Sequence, residues 1–254
     1  MKSRTKKILV IVSALSALMA ALCICKIAMA QRQYKESKQE YEDLKGAVIT
    51  TVPSNESEDE ESPYLVLDFD RLSEINTDFK FLIDSPGTDV SYTDFQSSDT
   101  DFYLRRTFEG SSNVGGVIFI DYRSGGDLTG RNTVIYGHRM NDGSMFAGLA
   151  EYMSAEYYAG HDTIHIYTED AVLEYTVFSA SEVTTGCDCF TFAFQSDYEF
   201  HEWLSRQAYR SAYDTGIVPN STDRVITLVT CTGQEEWRYV VQAVLTETVF
   251  NDVD

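Results

Sequence analysis

The chain has 254 residues, enough to bury one sizeable core, and 43% hydrophobic with 24% charged residues reads as globular rather than disordered. Its formal charge of −20 is uneven: residues 1–33 hold six basic side chains and no acidic one, which leaves 14 basic and 40 acidic residues for the rest. A body that acidic repels phosphates, which argues against nucleic-acid binding; it suits a solvated surface or the attraction of a cationic substrate such as a free amine.

Lys2, Arg4, Lys6 and Lys7 precede an uncharged apolar run, Ile8 to Cys25. A helix of that length reaches about 27 Å, close to the roughly 30 Å of a hydrocarbon core. The basic flank sets an N-inside, C-outside orientation. Ala28-Met29-Ala30 fits a small-x-small cleavage pattern. The run nevertheless exceeds the about 7–15 residues of a signal-peptide core, and Lys26 sits just before the site. The expectation is a cytoplasmic tail over 1–7 and an uncleaved membrane anchor over 8–30, with the body outside. Residues 31–52 are polar with helical spacing at Tyr34, Tyr41 and Leu44, as in a stalk helix. The acidic run NESEDEES (55–62) cannot bury a core and reads as a linker. Stalk and linker therefore occupy 31–62, and a folded domain occupies 63–254.

Within that domain a short helix is expected at Asp68–Ile75, and strands follow. Val117–Ile120, Asn132–His138, Arg224–Cys231 and Arg238–Val249 are β-rich runs, and Thr163–Thr168 with Ala171–Ser179 flank a hairpin turn at Glu169-Asp170. Helical patches interrupt at Met145–Met153 and Phe200–Tyr209. Many short strands with few helices argue for a mainly β fold, a closed barrel or sandwich.

Cys23 and Cys25 lie in the apolar run, so Cys187, Cys189 and Cys231 remain outside it. An odd count in an exported body leaves at least one thiol free or paired to another chain. Cys187 and Cys189 are two positions apart, where a disulfide is strained, and a metal reading lacks a second ligand pair nearby; no cofactor is expected.

Six residues separate Cys231 from Arg238, a connection short enough to join antiparallel neighbours, so the two face each other across a hairpin mouth. His138 also ends a strand; if that strand runs parallel to the Cys231 strand, all three side chains gather at one rim. A thiolate beside an imidazolium and a guanidinium is a nucleophile, and the arginine supplies fixed donors for an oxyanion. Each residue has a plainer reading: Cys231 as a small buried hydrophobe, His138 as a structural histidine, Arg238 in a surface ion pair with Glu235 or Glu236.

Three segments resemble the sortase family, class B most closely: NTVIYGHRMNDGSMFAGL (132–149) with a Tyr-Gly-His motif, TLVTC (227–231), and RYVVQA (238–243). SPGTDVSY (85–92), GGVIFIDYRS (115–124) and SAYDTGIVPNSTDRVITL (211–228) support them. The resemblance runs from about residue 66 to the C-terminus. It implies a closed eight-stranded β-barrel with peripheral helices and an insertion, about Ser181 to Gly216, that walls a substrate groove. It implies a transpeptidase that cleaves the C-terminal sorting signal of a secreted protein, commonly between Thr and Gly. Cys231 would form the thioester, His138 would move the proton, Arg238 would hold the oxyanion, and Thr230 would touch substrate. Partners would be the signal-bearing protein, an amine of a peptidoglycan precursor or a pilin lysine, and the plasma membrane of a Gram-positive bacterium. Alternatives are a pilin-polymerising sortase, a hydrolase in which water resolves the thioester, and a non-catalytic tethered module on the same fold. Cys187 and Cys189 have no role in the family pattern, and Tyr103-Leu104-Arg105-Arg106 stands where a histidine is expected.

Overall fold

Strands that are apolar on both faces need cover on both sides, and here eight of them close on themselves. A computed structural model describes residues 2–49 and 64–251; the acidic run 55–62 lies outside the described residues. The strands are β1 (Phe79–Asp84), β2 (Ser91–Phe95), β3 (Ile118–Ile120), β4 (Asn132–Tyr136), β5 (Thr163–Tyr167), β6 (Ala171–Thr184), β7 (Val225–Cys231) and β8 (Trp237–Phe250). They form a closed barrel in the order β1-β2-β3-β4-β7-β8-β6-β5. The β2–β3 and β4–β7 pairs are parallel and the others antiparallel.

The β5–β6 hairpin, β4, β7 and β8 stand where the sequence sets them, although β6 runs on to Thr184. The first two strands carry weaker patterns. Phe79–Asp84 is buried at four of its six positions without alternation and has a register shift between Phe79 and Phe81. A strand buried that fully loses the period-two signal.

Among the described residues four α-helices accompany the barrel. Helix α1 (Lys2–Val48) is continuous, α2 (Phe69–Ile75) is capped by the Asp68 carboxylate accepting from the Arg71 N–H, α3 (Ala155–Tyr158) is one turn, and α4 is Asp197–Arg210. The 146–153 patch is a 3-10 helix. Phe200, Trp203 and Leu204 of α4 pack on Phe178, Val225 and Val244, which folds the insertion back against β6, β7 and β8.

Helix α1 has two environments. Its large apolar side chains between Ile8 and Met29 are all more than half exposed, and it is one helix long and apolar enough to cross a membrane. Further along, the stalk spacing becomes a docking face: Tyr41, Leu44 and Val48 are buried in the main core. Tyr41 meets the Tyr92 ring edge-on at 5.2 Å, and its hydroxyl accepts from the Ile118 N–H at 3.3 Å. The folded unit thus draws part of its core from upstream of residue 63. Truncating Leu44 removes buried methyl groups and leaves a cavity. Leu44→Ala is expected to lower the unfolding free energy by about 2–4 kcal/mol in chemical denaturation, whereas Leu22→Ala, on the exposed stretch, leaves it unchanged.

Asp94 on β2 is fully buried, its oxygens lack full hydrogen-bond partners, and burial pushes its carboxyl well above the usual range, with only the Phe95 N–H opposing. A carboxyl whose folded value is raised destabilises the fold as pH climbs past the unfolded value of about 4. Asp94→Asn is expected to raise stability at pH 7 but not at pH 3.5, read from denaturation midpoints at the two pH values.

Candidate active site

Register brings the three sequence-selected residues together. In the parallel β4–β7 pair Tyr136 stands opposite Val229, and His138 and Cys231 each lie two positions further on. In the antiparallel β7–β8 pair Cys231 is directly opposite Arg238. Histidine, cysteine and arginine thus occupy equivalent ends of three adjacent strands, the cysteine in the middle. All three line one cavity of about 200 Å³, with Gly137, Thr230 and Tyr136.

The chain holds this register past the end of β4. The Gly137 N–H donates to the Val229 carbonyl at 3.1 Å, and the Thr230 hydroxyl donates to the Gly137 carbonyl at 2.8 Å. Thr230 is 2% exposed, so this bond is shielded from water. Gly137 permits the approach, because a Cβ there would meet the Phe146 ring at 2.7 Å and collide with Ile118. The His138 carbonyl accepts from the Phe146 N–H at 3.0 Å, which closes the following loop and fixes the turn from both sides.

Deeper in the same strands a buried polar chain locks the pairing. The Thr227 hydroxyl donates to Asn132 Oδ1 at 2.7 Å, and Gln242 Nε2 donates to the Thr227 hydroxyl at 3.1 Å. Asn132 Nδ2 continues to the Thr191 carbonyl at 2.8 Å. A one-residue slip of β4, β7 or β8 would leave these amides buried and unpaired, so slipping is costly.

His138 is half-buried, and its Nε2 lies 2.6 Å from the Leu104 carbonyl. A carbonyl only accepts, so Nε2 carries a proton and Nδ1 is the nitrogen free to take one from the neutral ring. Burial pulls the imidazole below its ordinary value of 6.5; the Leu104 bond opposes this and the Arg105 charge adds to it. Leu104 lies in a 3-10 turn, Phe102–Arg105, against which Gly116 packs so closely that a Cβ would lie 2.7 Å from the Leu104 and Tyr103 carbonyls. Arg238 is partly buried, and its Nη1 donates to the Glu235 and Trp237 carbonyls at 2.8 Å each. The loop orders the guanidinium through backbone rather than through a carboxylate, and Nε and Nη2 remain for another acceptor.

Other elements complete the cavity wall. Thr100, Asp101, Leu104 and Phe119 line it, and no residue of the 181–216 insertion does. That insertion packs alongside the site: Cys189 and Val183 join Val134, Val229 and Val240, and Val229 and Tyr136 belong both to this cluster and to the cavity lining. Sequence reasoning missed Leu104 because its contribution is a backbone oxygen.

Comparison with known proteins agrees with the geometry. A sortase domain family profile matches residues 86–246. The chain is 31% identical over 177 residues to sortase B of Listeria monocytogenes, covering 68% of this chain and 72% of that one. The structure aligns with sortase B of Bacillus anthracis at a TM-score of 0.74 and 29% identity, covering 85% of this chain and 99% of that one. It aligns with a Staphylococcus aureus sortase B–substrate complex at 0.67 and 29%, covering 70% and 84%.

The electrostatics of His138 can be checked directly. Its ring proton resonances, followed by NMR against pH, should titrate below 6.5. Arg105→Gln removes a nearby cation and should move that titration upward, because the charged ring is then opposed by burial alone.

Proposed function

The chain belongs to the sortase family and is a class B-like cysteine transpeptidase, and from that premise we propose how its residues divide the reaction and where it works. The observation that carries the proposal is the placement of His138, Cys231 and Arg238 at matching ends of three neighbouring strands around one cavity.

Cys231, as thiolate, attacks the carbonyl carbon at the scissile bond of a sorting signal, commonly the Thr of a Thr-Gly pair. The C–O π electrons move to oxygen, and the guanidinium of Arg238 stabilises that oxyanion with donors oriented before the reaction. Collapse breaks the C–N bond while His138 delivers a proton to the leaving amine, which gives a thioester on Cys231. A second amine, from a peptidoglycan precursor, attacks the thioester; neutral His138 takes its proton, and the thiolate leaves. The lowered proton affinity of His138 makes its imidazolium the stronger acid for the leaving group. Thr230 positions the His138 turn and offers its remaining surface to the acyl chain as part of the cavity wall.

The exposed apolar half of α1 supports a single membrane span over 8–30, with residues 1–7 inside and the barrel outside the plasma membrane of a Gram-positive cell. Signal-bearing secreted proteins and lipid-linked precursors would then share one surface with the enzyme. The acidic body favours approach of an ammonium acceptor over an anionic one.

The test is acyl transfer by the full-length protein in detergent, with a labelled Thr-Gly signal peptide and an added oligoglycine amine. The expected result is a peptide thioester on Cys231 by mass spectrometry and ligated product that rises with amine. Cys231→Ala should abolish both, and Arg238→Lys should lower kcat/KM by about 10²–10³. Hydrolysis unchanged by amine, or an acyl group on another residue, would overturn the reading.

A further inference from the structure

A titratable cluster that transpeptidation leaves unused lies beside β4 and β7, in the turn Cys187-Asp188-Cys189, where Cys189 packs with Val134 and Val229. Cys187 is half-buried beside an open cavity of about 420 Å³ that Gly186, Phe190, Thr191 and Phe192 help to line, whereas Cys189 is 1% exposed. The Cys187 sulfur accepts from the Cys189 backbone N–H at 3.2 Å and from Arg210 Nη1 at 3.3 Å. Arg210 itself is held by Asp188 at 2.9 Å and by Gln207 at 2.6 Å. Asp188 is further bound by Arg206 at 3.0 Å, and its carbonyl by the Trp203 indole at 2.8 Å. The two sulfurs are thus inequivalent, one accessible and surrounded by donors, the other shielded behind it.

We propose that Cys187 and Cys189 form a second thiol site, separate from Cys231, that exchanges with external disulfides, Cys187 as attacking thiolate and Cys189 as resolving thiol. The Cys187 thiolate attacks one sulfur of a disulfide R–S–S–R, forming Cys187–S–S–R and releasing one R–S⁻. Cys189 then gives up its proton and attacks the Cys187 sulfur, releasing the second R–S⁻. The two protons end on the two released thiols, so a dithiol is oxidised as one disulfide is reduced.

The local charges fit these roles. The Cys189 hydrogen bond, the Cys189 N–H and Arg210 bring the Cys187 thiol down to about 7 against burial and the Asp188 charge, whereas the thiolate neighbour and burial push Cys189 up. Thiolate and protected partner therefore coexist near neutral pH, the condition for exchange. A disulfide across this two-residue spacing is strained, and strained disulfides are readily reduced, which makes the oxidised form reversible.

The experiment uses the full-length protein in detergent with glutathione disulfide as the probe, followed by alkylation of remaining thiols and peptide mapping by mass spectrometry. The wild type should form an intramolecular Cys187–Cys189 bond that a dithiol reductant reverses. Cys189→Ser should instead hold glutathione on Cys187, with a rate half-maximal near pH 7. Arg210→Gln in that background should slow the reaction several-fold and move the midpoint upward. The proposal is overturned if Cys187 stays reduced in the wild type, or if Cys187 of Cys189→Ser reacts no faster in the folded chain than in the urea-unfolded one. Mapping by peptide keeps these outcomes independent of Cys231 and of its acyl-transfer role.

Discussion

The site depends on the parallel pairing of β4 with β7 and on its continuation beyond the last residue of β4. Strand pairing alone carries Tyr136 to Val229. Two further bonds, Gly137 N–H to Val229 and Thr230 hydroxyl to Gly137, bend the chain so that the residue after the glycine meets the end of β7. Neighbouring strands lie about 4.8 Å apart, so matched positions bring side chains within reach of one another without a long flexible loop. The Tyr-Gly-His and Thr-Cys motifs thereby acquire a shared cause. Glycine admits the Phe146 ring, threonine fastens the turn, and the histidine and cysteine that follow them are delivered side by side.

The rest of the barrel serves that register. The buried Asn132–Thr227–Gln242 chain penalises slippage of any of the three strands that carry the site. The β7–β8 hairpin sets Arg238 opposite Cys231 and binds the guanidinium by two backbone carbonyls. The Phe102–Arg105 turn brings the Leu104 carbonyl against His138 and fixes which nitrogen holds the proton. Burial and Arg105 act against the imidazolium, while Leu104 supports it. The histidine is thus poised to give up a proton, with its Nε2 held on the Leu104 carbonyl.

Much of this was legible in the sequence, because the functional strands are also the regular ones. The six-residue connection between Cys231 and Arg238 fixes the hairpin, and the three motifs fix the family resemblance. Other features left weaker traces. The Phe79–Asp84 strand is buried on both faces and bulged, so it shows no alternation. The Leu104 contact is made by a backbone oxygen, which any residue supplies. Phe200, Trp203 and Leu204 draw the 181–216 segment onto Phe178, Val225 and Val244, while Thr100, Asp101, Leu104 and Phe119 complete the cavity lining, a placement that strand patterns alone do not give. Tyr41 and Leu44 gave a helical spacing, but spacing does not distinguish a free stalk from a helix docked on a barrel.

The central claim is that the Thr230 hydroxyl, by holding the Gly137 turn, positions His138 for proton transfer beside Cys231. The most direct measurement is the rate of thioester formation, kcat and KM separated, in Thr230→Val and Thr230→Ser. Serine keeps the hydroxyl and should acylate near the wild-type rate, while valine should lose about ten- to hundredfold in kcat with KM little changed. Wild-type acylation by the valine variant, or equal loss in both variants, would contradict the account.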